Sequence, residues 1–241
     1  MDLWKGAWYL AKHELAKDRW RSLFTFAFVL YMLLFSVPLF IDNWEGEASR
    51  RFAWATDFIY LSLLPCLGFI FNKTMASYWK NDAYTKKMAQ WRTMPISSRQ
   101  IALGRLIQMA AVLLASQLLF FLLQYVILRL SGVELSPVSF ILYALFWFFY
   151  SITMATAYVY WEIGHTGKIY LIVNFIYIFL FLLVTTALTM FKSGNIIVNS
   201  LLAIEDGNWW IVLAALAAAV AAVFIGVNRM ENRLEKRSYR G

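Results

Sequence analysis

Few residues in this chain are of types that carry covalent or metal chemistry, and their spacing disfavours the common reactions. Two histidines and one cysteine stand among 241 residues. His13-Glu14 opens like the helical zinc-protease motif, where two histidines one turn apart hold the metal and the glutamate serves as base. Lys17, however, occupies the place of the second histidine. Cys66 is alone, so neither an internal disulfide nor a thiolate cage is available. Gly167-Lys168 is the one Gly-Lys pair, and a phosphate-cradling loop needs a further glycine five residues earlier, where this chain has Glu162. There is no Gly-x-Ser-x-Gly elbow. Asp57 is the one charge inside a long apolar stretch, which leaves an intramembrane acid protease without its second carboxylate. The chain itself is therefore expected to hold no metal or cofactor and to catalyse nothing.

The elements that carry these residues are set by composition. Hydrophobic residues make up 61% of the chain, aromatics 18% and charged residues 15%, far more apolar surface than one globular core hides. A crossing needs about 20 apolar residues, and six stretches qualify: 23–41, 52–71, 106–128, 138–160, 169–191 and 209–227. Hydrocarbon offers no partner to an unpaired amide, so each should be helical. The expected fold is an all-α polytopic membrane protein with six transmembrane helices in one domain. Eighteen of the 22 Lys and Arg fall in the segment before the first span, the stretch 73–105, the link 161–168 and the tail from 228; four fall in the other three links. The positive-inside rule then puts both termini in the cytoplasm, which an even span number also requires. This one-sided distribution accounts for the net charge of +8 without nucleic acid. The first apolar stretch reads as a retained span rather than a cleaved signal.

Outside the spans, residues 3–18 read as an amphipathic helix, with Trp4, Ala7, Trp8, Ala11 and Leu15 on one face, lying along the membrane surface as an elbow before span one. The alternative is a solvated stub. Between spans two and three, Pro95 should end a helix near Thr93, and Ser97 or Ser98 should cap the next, running from about Arg99 into span three. The outer link 192–208 is too apolar for a free loop and is expected to dip back toward the membrane or lie on its surface. Within the spans, Pro65 should kink span two. Asp57 should snorkel to water or bond a neighbour such as Thr56, and Gln108, Gln117, Gln124 and Asn174 should bridge helices. Ala214, Ala218, Ala222 and Gly226 should let span six approach a neighbour.

The stretch Trp91-Arg92-Thr93-Met94-Pro95-Ile96-Ser97-Ser98-Arg99-Gln100-Ile101-Ala102-Leu103-Gly104-Arg105 resembles the signature that follows the second span in permease subunits of type-two (type V) ABC exporters. The elbow, the span count, the inside termini and the long last outer link agree in layout. Many relatives carry an acidic residue and a glycine ahead of the loop helix, whereas this chain has Asp82-Ala83-Tyr84. The resemblance implies that the region 80–98 is a coupling helix docking on a separate cytoplasmic ATPase, through Asp82, Tyr84, Lys87, Met88, Trp91, Arg92 and Pro95. The short link with Glu162, His165 and Lys168 would make a secondary contact, the alternative for Glu162 and Lys168 being that each simply sits at a membrane interface. Spans one and five of relatives line the path between two permeases, which would place Phe26, Tyr31, Phe35, Tyr170, Asn174 and Tyr177 there.

The expectation is thus a transmembrane permease in a bacterial cytoplasmic membrane. It would pair with itself or a close homologue and bind two copies of an ATPase that holds ATP and Mg. The cargo would be an amphipathic or hydrophobic peptide, lipid or drug. The alternative is an ATP-independent membrane-embedded immunity or peptide-binding protein.

Overall fold

The computed structural model describes residues 2–17, 22–46, 53–70, 83–191 and 195–237. Those residues form α1 (Leu3–Lys17), α2 (Ser22–Trp44), α3 (Ala53–Leu63), α4 (Ala83–Arg92), α5 (Ser98–Leu130), α6 (Pro137–Gly164), α7 (Gly167–Met190), α8 (Ile196–Glu205) and α9 (Trp210–Lys236), with no strand among them. Five helices, α2, α5, α6, α7 and α9, are long and apolar enough to cross a membrane. The all-helical, multi-pass character expected from composition is therefore present.

The second expected span departs from a single helix over 52–71. It is an α-helix of 11 residues, α3, followed by a short 3-10 turn at Pro65–Gly68. Proline is the cause, because its nitrogen cannot donate to the carbonyl of Leu61 one turn back. The bundle supplies the missing donor. Tyr150 Oη donates to the Leu61 carbonyl at 2.9 Å, and Gln117 Nε2 reaches the Leu64 carbonyl at 3.3 Å. A broken helix is tolerated among apolar neighbours only when its freed carbonyls are met in this way. The proline thus breaks the helix rather than kinking it.

Gln117 also donates to Ser151 Oγ at 2.7 Å, and Gln124 Nε2 donates to Tyr60 Oη at 2.5 Å, so these two glutamines do bridge helices. The other two amides do not. Gln108 accepts from Arg105 one turn away on α5, and Asn174 donates to the Tyr170 carbonyl of its own helix. α9 packs along α6, and at Gly226 a Cβ would lie 2.5 Å from Thr156 Cγ2. Glycine is required there for the close approach. Ala214 and Ala218 are exposed, so the expected small-residue stripe engages only toward its Gly226 end.

The link between α7 and α9 contains α8, whose Ile197, Val198, Leu201 and Ile204 are buried against α2, α3 and α6. Its N-terminus is doubly capped. Asn195 Oδ1 accepts from the amides of Ile197 and Val198 at 3.0 and 3.1 Å, while the Asp57 carboxylate accepts from those of Ile196 and Ile197 at 3.0 and 3.1 Å. Asp57 is 1% exposed, so it neither snorkels nor bonds Thr56, whose hydroxyl accepts from Asn43 instead. A carboxylate at a helix N-terminus meets unpaired N–H groups and the positive end of the helix dipole. Asp57→Ala should therefore destabilise the chain by about 2 kcal/mol and speed exchange of the Ile196 and Ile197 amides, with Asp57→Asn intermediate. Thermal unfolding in detergent and hydrogen exchange would check both.

Candidate functional site at the basic end of the bundle

The segment singled out by its motif folds as a helix, a proline turn and a second, capped helix. α4 ends at Arg92, and the amides of Thr93 and Met94 bond back to the carbonyls of Gln90 and Trp91 at 3.3 and 3.2 Å. Past Pro95 the chain re-enters helix through a reciprocal capping box. Ser97 Oγ accepts from the Gln100 amide at 3.2 Å, and Gln100 Oε1 accepts from the Ser97 amide at 3.0 Å. Ser97 is thus the cap, and α5 then runs for 33 residues without a break.

Three sets of polar contacts bind this segment and its surroundings together. Glu14 of α1, 5% exposed, forms an ion pair with Lys87 of α4, and the Lys87 ammonium sits 4.6 Å from the centroid of the Trp91 ring. Arg237, just beyond α9 and 9% exposed, donates through Nη1 to the Ile163 carbonyl at 2.8 Å and through Nη2 to the Thr85 hydroxyl of α4. Arg233 Nε donates to the Gly164 carbonyl at 3.2 Å. Two cations thereby satisfy carbonyls at the end of α6, where the helix dipole is negative. Finally, Arg105 of α5 holds Glu162 of α6 in a two-point pair, with Nε and Nη2 at 3.0 and 2.9 Å from the two carboxylate oxygens. Its guanidinium also lies 5.4 Å from the Phe69 ring centroid, just past the broken span.

Several expected site residues take other positions. Met88 and Trp91, offered as anchors for a partner, are 1% and 7% exposed and turn into the chain, because they share the face of α4 that packs on the ends of α6 and α7. Among the side chains described here, Lys86, Gln90, Thr93, Met94, Pro95 and Ser97 are exposed, and of these only Pro95 was in the expected set. Lys87 is half-buried in its pair with Glu14; Tyr84 and Arg92 lie within α4, and Asp82 lies outside the described residues. Glu162 is buried and paired with Arg105. The His165 ring lies tilted against Trp161 with centroids 4.6 Å apart, and partial burial, then the charges of Arg233 and Arg237, push its pKa down.

The elbow and the path residues divide as well. α1 docks on α5 through Gly6, Ala7, Leu10, Ala11 and Glu14, at a crossing so close that a Cβ on Gly104 would lie 3.0 Å from the Ala7 carbonyl oxygen. Ala7 and Ala11 therefore face the protein, Leu15 is half-buried, and Trp4 and Trp8 remain 67% and 61% exposed. The five residues do not act as one membrane face. Phe26, Tyr31 and Phe35 are exposed on α2, whereas Tyr170 is buried and Asn174 and Tyr177 are half-buried, with Tyr177 Oη accepting from Trp161 Nε1 at 3.2 Å. The α7 residues lie on its inward stripe, continued by Phe181 and Thr185. Three of the six are thus exposed on α2 and three lie at least half-buried on α7.

Glu14, Thr85, Arg105, Arg233 and Arg237 were not among the expected site residues. Glu14 carried a readable signal, since it stands seven residues after Ala7 and so continues the face of α1 that docks. The arginines carried none beyond being basic and near span ends. Among the described residues, no three His, Cys, Asp or Glu side chains come together. The buried Arg105–Glu162 pair yields a direct expectation. Glu162→Ala should cost about 3–5 kcal/mol by stranding the guanidinium, while Arg105→Met with Glu162→Leu should recover most of that loss in unfolding assays. In comparisons with known proteins, no family model, no curated protein and no solved structure matches this chain.

Proposed function

We propose that the chain is the transmembrane permease subunit of an ATP-driven exporter of the type its loop motif resembles, with α4 and the following turn as the contact for a separate cytoplasmic ATPase. In this reading α3 and its proline break belong to a sixth crossing, α1 is the elbow on the inner membrane surface, and both termini are cytoplasmic. The distribution of Lys and Arg supports that orientation. ATP and Mg belong to the partner. The membrane is the bacterial cytoplasmic membrane, and a second permease copy or close homologue completes the path for an amphipathic or hydrophobic cargo.

The observation that carries the reading is the construction of the motif segment: a short helix, stopped by Pro95 and followed by a capped 33-residue helix, pinned by Lys87 and Thr85 to α1 and to the end of α9. A push on such an element is passed on as a rigid-body motion rather than absorbed by a loop. The burial pattern revises the contact surface. Lys86, Gln90, Met94 and Pro95 replace Met88 and Trp91 as the residues a partner would touch. The rival reading, a membrane-embedded immunity or peptide-binding protein that works without ATP, draws on the same burial, since the two best anchors of α4 are committed to internal packing.

Photo-crosslinking from position 90 in native membranes, followed by purification, separates the two. The exporter reading expects a nucleotide-hydrolysing subunit in the adduct, and a loss of its retention by more than about tenfold on Met94→Glu, the scale of an interface hot spot. Recovery of no such subunit, or equal retention by the variant, contradicts it.

A further inference from the structure

A groove of about 540 Å³ runs along the outer surface of the bundle, between α6 and α9, with α5 behind it and α1 across one end. Leu216, Val220 and Phe224 line one side and Phe148 and Ile152 the other. Polarity enters at one end only. Arg99 and Asn228 lie there beside Trp4, whose indole is 67% exposed. From Leu216 to Asn228 is about twelve residues, or about 18 Å of α-helix, close to the share of one leaflet in a hydrocarbon core about 30 Å thick. The groove therefore has the length of one acyl chain's path, not that of a membrane-spanning helix. Arg99 Nε lies 3.9 Å from a Glu231 carboxylate oxygen, a loose ion pair beyond hydrogen-bond reach, and with its side chain 45% exposed the guanidinium can also meet a second anion from outside.

We propose that this groove is a site for one anionic glycerophospholipid of the leaflet on the basic side. An acyl chain lies between α6 and α9, the phosphate is met by Arg99 with Asn228 as a second polar partner, and Trp4 sits at headgroup level. Three features select that occupant. The lining is apolar along its length, a guanidinium and an exposed indole stand together at the mouth, and the leaflet they face is the one whose anionic lipids attract basic side chains. The proposal rests on membrane placement alone, not on the exporter reading, so either can fail without the other.

The full chain in nanodiscs of phosphatidylglycerol and phosphatidylcholine, with a trace of phosphatidylglycerol bearing a photoreactive acyl chain, tests it. Adducts mapped by mass spectrometry should concentrate on residues 148–152 and 216–227. Arg99→Glu should cut them about fivefold, and Val220→Trp, placed at the exposed lip, should remove them; Arg129→Glu at the far end of α5 should change nothing. Both test positions are exposed, and unchanged melting would verify the fold. Adducts spread evenly over the exposed faces of α2, α7 and α9, or equal labelling by a phosphatidylcholine analogue, would overturn the proposal. So would indifference to Arg99→Glu.

Discussion

A carboxylate taken out of water must be met by a cation or by N–H donors, and that requirement organises this chain. Among the described residues three acidic side chains are buried, Glu14, Asp57 and Glu162, and each joins parts of the chain that hydrophobic packing alone would leave free to slide. Glu14 ties the surface helix α1 to α4, Asp57 ties α3 to the start of α8, and Glu162 ties α6 to α5. Lipid tails are as apolar as leucine, so burial of apolar area discriminates poorly between neighbours within a bilayer. Directional polar contacts at the ends and breaks of the helices supply the specificity.

The same logic explains why the broken second span persists. Pro65 removes one backbone bond, and the cost is offset by Tyr150 and Gln117 from two different helices. Those contacts draw α3, α5 and α6 together where the buried aromatic cluster of Tyr60, Phe120, Tyr143 and Trp147 packs edge to face. Toward the basic end, Arg105 sits between Glu162 and Phe69, and Arg233 and Arg237 occupy the carbonyls where α6 stops. The polar structure of the chain is thus concentrated where helices end or break.

Much of this architecture was legible in the sequence. Apolar stretches located all five long helices, and Pro95 with Ser97 or Ser98 marked the turn and cap, whereas the apolar link 192–208 was expected at the membrane and its helix packs on the bundle instead. What was not legible concerns choice of partner. Asp57 stood out as the one charge inside an apolar stretch and was expected to reach water or a near neighbour, but its donors lie 139 and 140 residues away, beyond any local pattern. Met88 and Trp91 share a helical face in any reading, yet periodicity cannot say whether that face meets the chain's own bundle or another protein. Trp4 and Trp8 fit an amphipathic stripe with Ala7 and Ala11, but the close crossing at Gly6 and Gly104 turns the alanines inward and leaves the indoles outside.

α4 is clamped to the bundle from two sides, through Glu14 and through Arg237, and should behave as a rigid element. Hydrogen exchange of the intact chain in a bilayer tests it most directly, because exchange reads local opening of α4 without reference to any partner. The amides of residues 87–92 should be protected in the wild type, and Glu14→Ala combined with Arg237→Ala should raise their exchange by at least about tenfold while the middle of α5 is unchanged. Exchange of α4 at the rate of an open coil in the wild type, or protection that survives loss of both clamps, would contradict it.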